Sequence, residues 1–198
     1  MTDQGNHHLA KLDPTGAPVT TWTGGVLTFN SPSGLAVDGA GNIYVADQGN
    51  NIVQKLSAAG APVTAWTQGS GGTFSNPLAV ALDASGDVYV GDYGNALVQK
   101  LGPNGAPVTA WGGNGSAGNG KFNSIGSVAV DPAGNVYVGD FTYIQKFDPN
   151  GRFLTQWGGF GSEPGSFEGV EGIAFDAAAN VYATDEVNHR VEKFNPLP

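Results

Sequence analysis

Asp131-Pro-Ala-Gly-Asn-Val-Tyr-Val-Gly-Asp140 is written five times in this chain, once only in part. It recurs as Asp38-Gly-Ala-Gly-Asn-Ile-Tyr-Val-Ala-Asp47, Asp83-Ala-Ser-Gly-Asp-Val-Tyr-Val-Gly-Asp92 and Asp176-Ala-Ala-Ala-Asn-Val-Tyr-Ala-Thr-Asp185, and its last two residues open the chain as Thr2-Asp3. The first half is turn chemistry: an Asp that bonds its own backbone, small residues, and mostly a Gly for positive φ. The second half is a β-branched and aromatic run. A similar run precedes it, Gly34-Leu-Ala-Val37 in the first full copy, so the stretch predicts a tight β-hairpin.

Working outward, the closing Asp47 starts a second connection that leads to Ile52-Val-Gln-Lys-Leu56, which alternates as a half-buried strand does. A third turn around Gly60 leads to Val63-Thr-Ala-Trp66. Each unit is therefore four short antiparallel strands. The second-strand Asp falls at 3, 47, 92, 140 and 185, a period of about 45 residues that marks a repeat architecture. Trp22, Trp66, Trp111 and Trp157 share one repeat position; Phe29, Phe74, Phe122 and Phe167 share another; Tyr44, Tyr89, Tyr137 and Tyr182 a third. An aromatic that recurs once per unit is expected to pack between neighbouring units.

Four-stranded units of this length are the size of a propeller blade, which predicts an all-β propeller in one domain over residues 1–198, with segments 1–24, 28–72, 73–120, 121–165 and 166–198. The first segment supplies a third and a fourth strand, and the last a first, second and third. Three ring closures are open: a four-bladed ring with one third strand displaced, an arc completed by a neighbouring molecule, or a piece of a longer protein. An open arc exposes strand edges, which proteins normally cover, so self-association is expected to matter.

Composition narrows the function. The chain has no Cys, which excludes a disulfide framework and thiolate chemistry. Net charge is −9, and of eight basic residues five (Lys11, Lys55, Lys100, Lys146, Lys193) occupy one repeat position and form no dense patch. That argues against nucleic acid as a partner. No apolar run reaches the length of a membrane span. Low charge with abundant Gly, Thr and Asn leans towards an extracellular or surface setting.

Over essentially its whole length the chain resembles the NHL-repeat family of β-propellers. Gly172-Ile-Ala-Phe-Asp176 with Asn180-Val-Tyr-Ala-Thr-Asp-Glu-Val-Asn-His-Arg-Val191 carries the resemblance, as do Gly34-Leu-Ala-Val-Asp38 and Asn42-Ile-Tyr-Val-Ala-Asp47. It implies that Arg190 pairs with Asp185, and leaves Asp47, Asp92 and Asp140 to find backbone donors in their own turns. It implies usually six blades, more than this chain holds. It also explains His7 and His189, which share one position, without any ligand role.

Candidate sites are few. The Asp residues are periodic and read as turn caps. The central parts of the first strands (Leu-Ala-Val, Val-Ala-Leu, Val-Ala-Val, Ile-Ala-Phe) offer a channel no carboxylate, which counts against a channel metal. What breaks the repeat is Tyr93, Phe141 and Tyr143 in the connections after the second strand. All five Glu, Glu186 among them, also lie in the last 36 residues. Tyr93, Phe141, Tyr143 and Glu186 are the expected binding residues; Asp185, Arg190 and the four Trp are expected to be structural. The expected function is a non-catalytic scaffold or binding module without a cofactor, for a protein partner or a second copy, with glycan as a further possibility. The alternative is a propeller lyase or hydrolase with a divalent metal at the channel mouth.

Overall fold

The computed structural model describes residues 1–115 and 118–195. It is a five-bladed β-propeller, five small antiparallel sheets set around a central channel. In chain order the first sheet holds β1 (Thr2–Asp3), β2 (His8–Leu12) and β3 (Pro18–Trp22). The second holds β4 (Pro32–Val37), β5 (Ile43–Asp47), β6 (Ile52–Leu56) and β7 (Pro62–Trp66). A two-strand ribbon, β8 (Gln68–Gly69) and β9 (Gly72–Thr73), precedes the third sheet of β10 (Pro77–Leu82), β11 (Val88–Asp92), β12 (Leu97–Leu101) and β13 (Pro107–Gly112). The fourth is β14 (Ile125–Val130), β15 (Val136–Asp140), β16 (Tyr143–Phe147) and β17 (Phe153–Gly158). The fifth is β18 (Val170–Phe175), β19 (Val181–Asp185) and β20 (Arg190–Phe194).

Two expectations need correction. A four-bladed ring with a displaced third strand does not form, because β2 and β20 belong to separate sheets. The first sheet also has a stub of second strand, since Thr2–Asp3 pairs with His8–Leu9. Among the described residues no hydrogen bond joins the first sheet to the last.

The hairpin turn behaves as its chemistry dictates. Asp38 Oδ1 accepts from the amides of Ala40 and Asn42, and its Oδ2 accepts from the Asn42 side chain. Gly41 takes φ +85° to close the turn. The Tyr44 hydroxyl then reaches back to Asp38 at 3.3 Å, and Tyr89 and Tyr182 do the same to Asp83 and Asp176. In the fourth sheet burial, with Asp131 beside it, pushes the Tyr137 hydroxyl up to about 12. Opposite each Tyr in the ladder stands the periodic lysine, its ammonium 4.7–5.4 Å from the ring centre. Four periodic lysines thus have a tyrosine each. Lys11 has none among the described residues.

Period-two alternation gives every sheet two faces. The face with Tyr44, Val53 and Trp66 looks forward onto the third sheet, where it meets Phe74, Val80, Val88, Val90 and Leu101. The face with Ile43, Val45 and Leu56 looks back onto Leu9, Phe29 and Trp22. The same forward-to-back packing recurs at the third-to-fourth and fourth-to-fifth junctions. The periodic aromatics therefore pack between sheets. Trp66 rests on the hairpin glycine Gly105 of the next sheet, as Trp22 does on Gly60 and Trp111 on Gly151.

Candidate functional site

The buried Asp that closes each second strand is a structural anchor. Asp47 Oδ1 accepts from the Asn30 amide at 2.8 Å, and Oδ2 accepts from the side chains of Asn50 and Gln54. Asp92 repeats this with Ser75, Asn95 and Gln99. Asp140 takes both the Asn123 and Ser124 amides and Gln145. The backbone donors come from the segment leading into the first strand, not from the Asp's own turn, which corrects the sequence reading. The periodic Gln54, Gln99 and Gln145 were missed as partners, though their recurrence was visible. Each is fully buried, and Gln54 and Gln145 also donate to a loop carbonyl, of Leu27 and Lys121 respectively.

In the fifth sheet Arg190 does this work. Its Nε donates to Asp185 Oδ2 at 3.2 Å, and its other nitrogens reach the carbonyls of Ser162, Glu163 and Ser166 and the Glu192 carboxylate. Burial raises the Asp92 and Asp140 carboxyls, outweighing their hydrogen bonds. For Asp185 burial is again the largest influence, but bonds from Asn188, the Glu168 amide and Arg190 together outweigh it and hold the carboxyl low.

Tyr93, Phe141 and Glu186 each directly follow a second strand, so the structure brings them to one end of their three sheets. Gln48 and Gln4 hold the same position, and their side chains bond at 2.8 Å between adjacent sheets. Tyr93 and Phe141 are about two-fifths exposed. Phe141 sits at φ +44°, because its connection is two residues shorter than the others. Tyr143 lies apart, opening β16 opposite Asp140 and Gly158 in the ladder.

The channel holds a polar cavity of about 540 Å³ lined by Thr2, Gln4, Ser33, Ser127 and Glu171 among others. Glu171 overturns the expectation of a carboxylate-free lining. The first strands β10, β14 and β18 each begin three residues before their apolar runs, with a bulge at Pro77/Ala79, Ile125/Ser127 and Val170/Gly172. That extension carries Glu171 into the channel wall. The Glu171 side chain is open to the channel but crowded by protein, and this partial burial, with Glu186 nearby, raises its carboxyl. Among the described residues no three His, Asp or Glu side chains gather as metal ligands would. His7 is used structurally: it takes φ +54°, and its Nδ1 accepts the Ser31 amide at 2.8 Å.

The NHL repeat family model matches residues 29–56 and 74–101. Two of the chain's repeats thus match the NHL model, within a five-sheet propeller arrangement. No curated protein matches the chain. Among solved structures it resembles a chain of the nidogen/laminin complex, with TM-score 0.68, 21% identity, and coverage of 84% of this chain and 61% of that one. It also resembles catalytically inactive virginiamycin B lyase from Staphylococcus aureus with quinupristin, at TM-score 0.69, 13% identity and coverage of 98% and 64%. A protein of unknown function from Bacteroides caccae superposes with TM-score 0.64 at 12% identity, over 90% of this chain and 64% of that one. The chain spans less than two thirds of each of these structures. At such identities the likeness is one of fold.

Proposed function

We propose that this chain is a non-catalytic propeller scaffold that binds protein through the open faces of its end sheets, a second copy of itself included. One observation carries the reading. The forward face of the fifth sheet bears Tyr182, Val191 and Lys193, the counterparts of residues that pack against the next sheet at the inner junctions, and among the described residues no other sheet packs over them. Val191 is 64% exposed where its counterparts Val53 and Val98 are at 0%. The first sheet offers the matching backward face, with Leu12 42% exposed where Leu56 and Leu101 are at 0%. Forward-to-back stacking is a heterologous contact, which builds rings or filaments from identical copies.

The consumption of every second-strand Asp in backbone and amide bonding supports the non-catalytic reading. So does the nidogen/laminin neighbour, whose crystal is a protein complex. Tyr93, Phe141 and Glu186 add a second contact region at the channel end, for a protein or a glycan. The test is Val191→Glu, followed by sedimentation velocity beside the parent chain. Because the side chain is exposed in the monomer, melting should be unchanged while association is lost. Association that survives the charge would refute the face.

A second reading rests on Glu171 and its neighbour Glu186. Glu171 and Glu186 could hold a divalent ion at the channel mouth of a lyase or hydrolase, a reading to which the lyase neighbour lends its fold. Under the scaffold reading, magnesium, calcium and EDTA should leave the melting temperature unmoved. An ion-dependent rise lost in Glu171→Gln would favour the enzyme.

A further inference from the structure

The polar cavity in the channel, about 540 Å³, takes most of its wall from the first strands of the second to fifth sheets, and among the described residues Glu171 is the one charged side chain in its lining. We infer that this cavity is a binding site for a small organic cation, an ammonium group on a short aliphatic stem. The inference goes beyond the scaffold reading and depends on neither end face.

Two residues there have no job in the repeat. By ladder register Glu171 corresponds to Ser33, Leu78 and Gly126, and Ser127 to Gly34, Ala79 and Gly172. A carboxylate therefore stands at the first position only in the fifth sheet, and a hydroxyl at the second only in the fourth. The Glu171 carboxylate lies across the neighbouring first strand at Gly126, where an added Cβ would stand 3.2 Å from both its oxygens. Among the described residues no donor reaches it; burial and Glu186 are the influences on it. Ser127 is 7% exposed, yet among the described residues its hydroxyl has no hydrogen-bond partner and is open to the cavity. The Ser33 hydroxyl, by contrast, donates to the Leu78 carbonyl at 2.8 Å. Buried polar groups are normally partnered, so Ser127 is a place where a ligand atom is wanted.

The chemistry of this pair selects the occupant. An ionised carboxylate only accepts and a hydroxyl can accept, while an ammonium brings three donors and no acceptor. One carboxylate with neutral oxygens beside it balances a single positive charge. A divalent ion asks for more: calcium takes about six to eight oxygens and magnesium a near-octahedral shell, and among the described residues no three His, Asp or Glu gather as ligands. Leu35, Leu78, Val80 and Val128 give the same cavity an aliphatic wall for the stem. Its volume falls within the range of small-molecule sites, about 300–1,000 Å³. The net charge of −9 favours the approach of a cation.

The test titrates butylammonium chloride into the isotope-labelled chain and follows amide NMR shifts, beside neutral n-butanol of the same shape. The expected result is saturable binding of the amine, with shifts concentrated at Gly126, Ser127 and Glu171, and none from the alcohol. Glu171→Gln should weaken it at least about tenfold, as loss of a hydrogen bond to a charged group does, and Ser127→Ala should weaken it severalfold. Glu171 is exposed, so its variant should melt like the parent; should it not fold, Ser127→Ala reads the same site. An amine that binds no tighter than the alcohol, or binding indifferent to both substitutions, would overturn the assignment. So would magnesium that displaces the amine at equal concentration, since the site would then be one for a divalent ion. Val191→Glu, on the forward face of the fifth sheet, should leave amine binding intact, so this inference and the stacking reading can fail separately.

Discussion

Gly105→Val should cost about 4 kcal/mol of stability, a large loss for an uncharged surface turn. A Cβ at residue 105 would stand 1.9 Å from Trp66 Nε1, with the rest of the indole close behind. Gly105 also holds φ +83°, in the left-handed region that β-branched residues strongly avoid. Left-handed strain contributes about 1–2 kcal/mol and overpacking about 1–3 kcal/mol. The control is built into the repeat. Gly16 occupies the same hairpin position in the first sheet at φ +86°, with nothing within 4 Å of its added Cβ. Gly16→Val should therefore cost only the backbone strain, about 1–2 kcal/mol. Denaturant melts of the two variants measure the difference directly. Equal losses would mean that something covers Gly16 in solution as Trp66 covers Gly105.

Asp140→Ala should cost about 3 kcal/mol, because it strands the Asn123 and Ser124 amides and the Gln145 side chain inside the sheet junction. The loss has a pH signature. Burial raises the Asp140 carboxyl in the folded chain. Its contribution is therefore fully present below the unfolded carboxylate pKa, about 3.9, and is lost as pH rises through the folded value. The gap between parent and variant should be wider near pH 4 than at pH 7. Asp185→Ala should behave in the opposite sense, since its carboxyl is held low: that gap narrows as the pH falls. Urea melts at the two pH values check both signs.

Much of the fold was legible because each structural job recurs. Tyr44, Trp66 and Gly60 announce their roles by returning in four of the five sheets. What stayed hidden did so for physical reasons. Gln54, Gln99 and Gln145 recur just as strictly, but inside an alternating strand they read as solvent-facing positions. Only the fold shows that their face looks onto the preceding sheet, where a buried carboxylate needs a donor. Glu171 was missed because each first strand starts three residues before its apolar run, across a bulge, and periodicity does not reveal bulges. The number of sheets depended on whether Thr2–Asp3 pairs with His8–Leu9, and a two-residue strand carries too little pattern to decide that. Of the expected binding residues, Tyr93, Phe141 and Glu186 come to one end of the sheets because they hold one repeat position. Tyr143 does not join them, because the shortened connection puts it directly into β16.

The central claim is that the end sheets are open faces built to receive protein. It is tested most directly by light scattering of the purified chain across a concentration series. The account predicts a mass that rises above the 20.2 kDa of one chain as concentration increases, and that returns to it in Val191→Glu. A mass fixed at one chain over the whole range would contradict it, and would mean that the forward face of the fifth sheet receives no second copy.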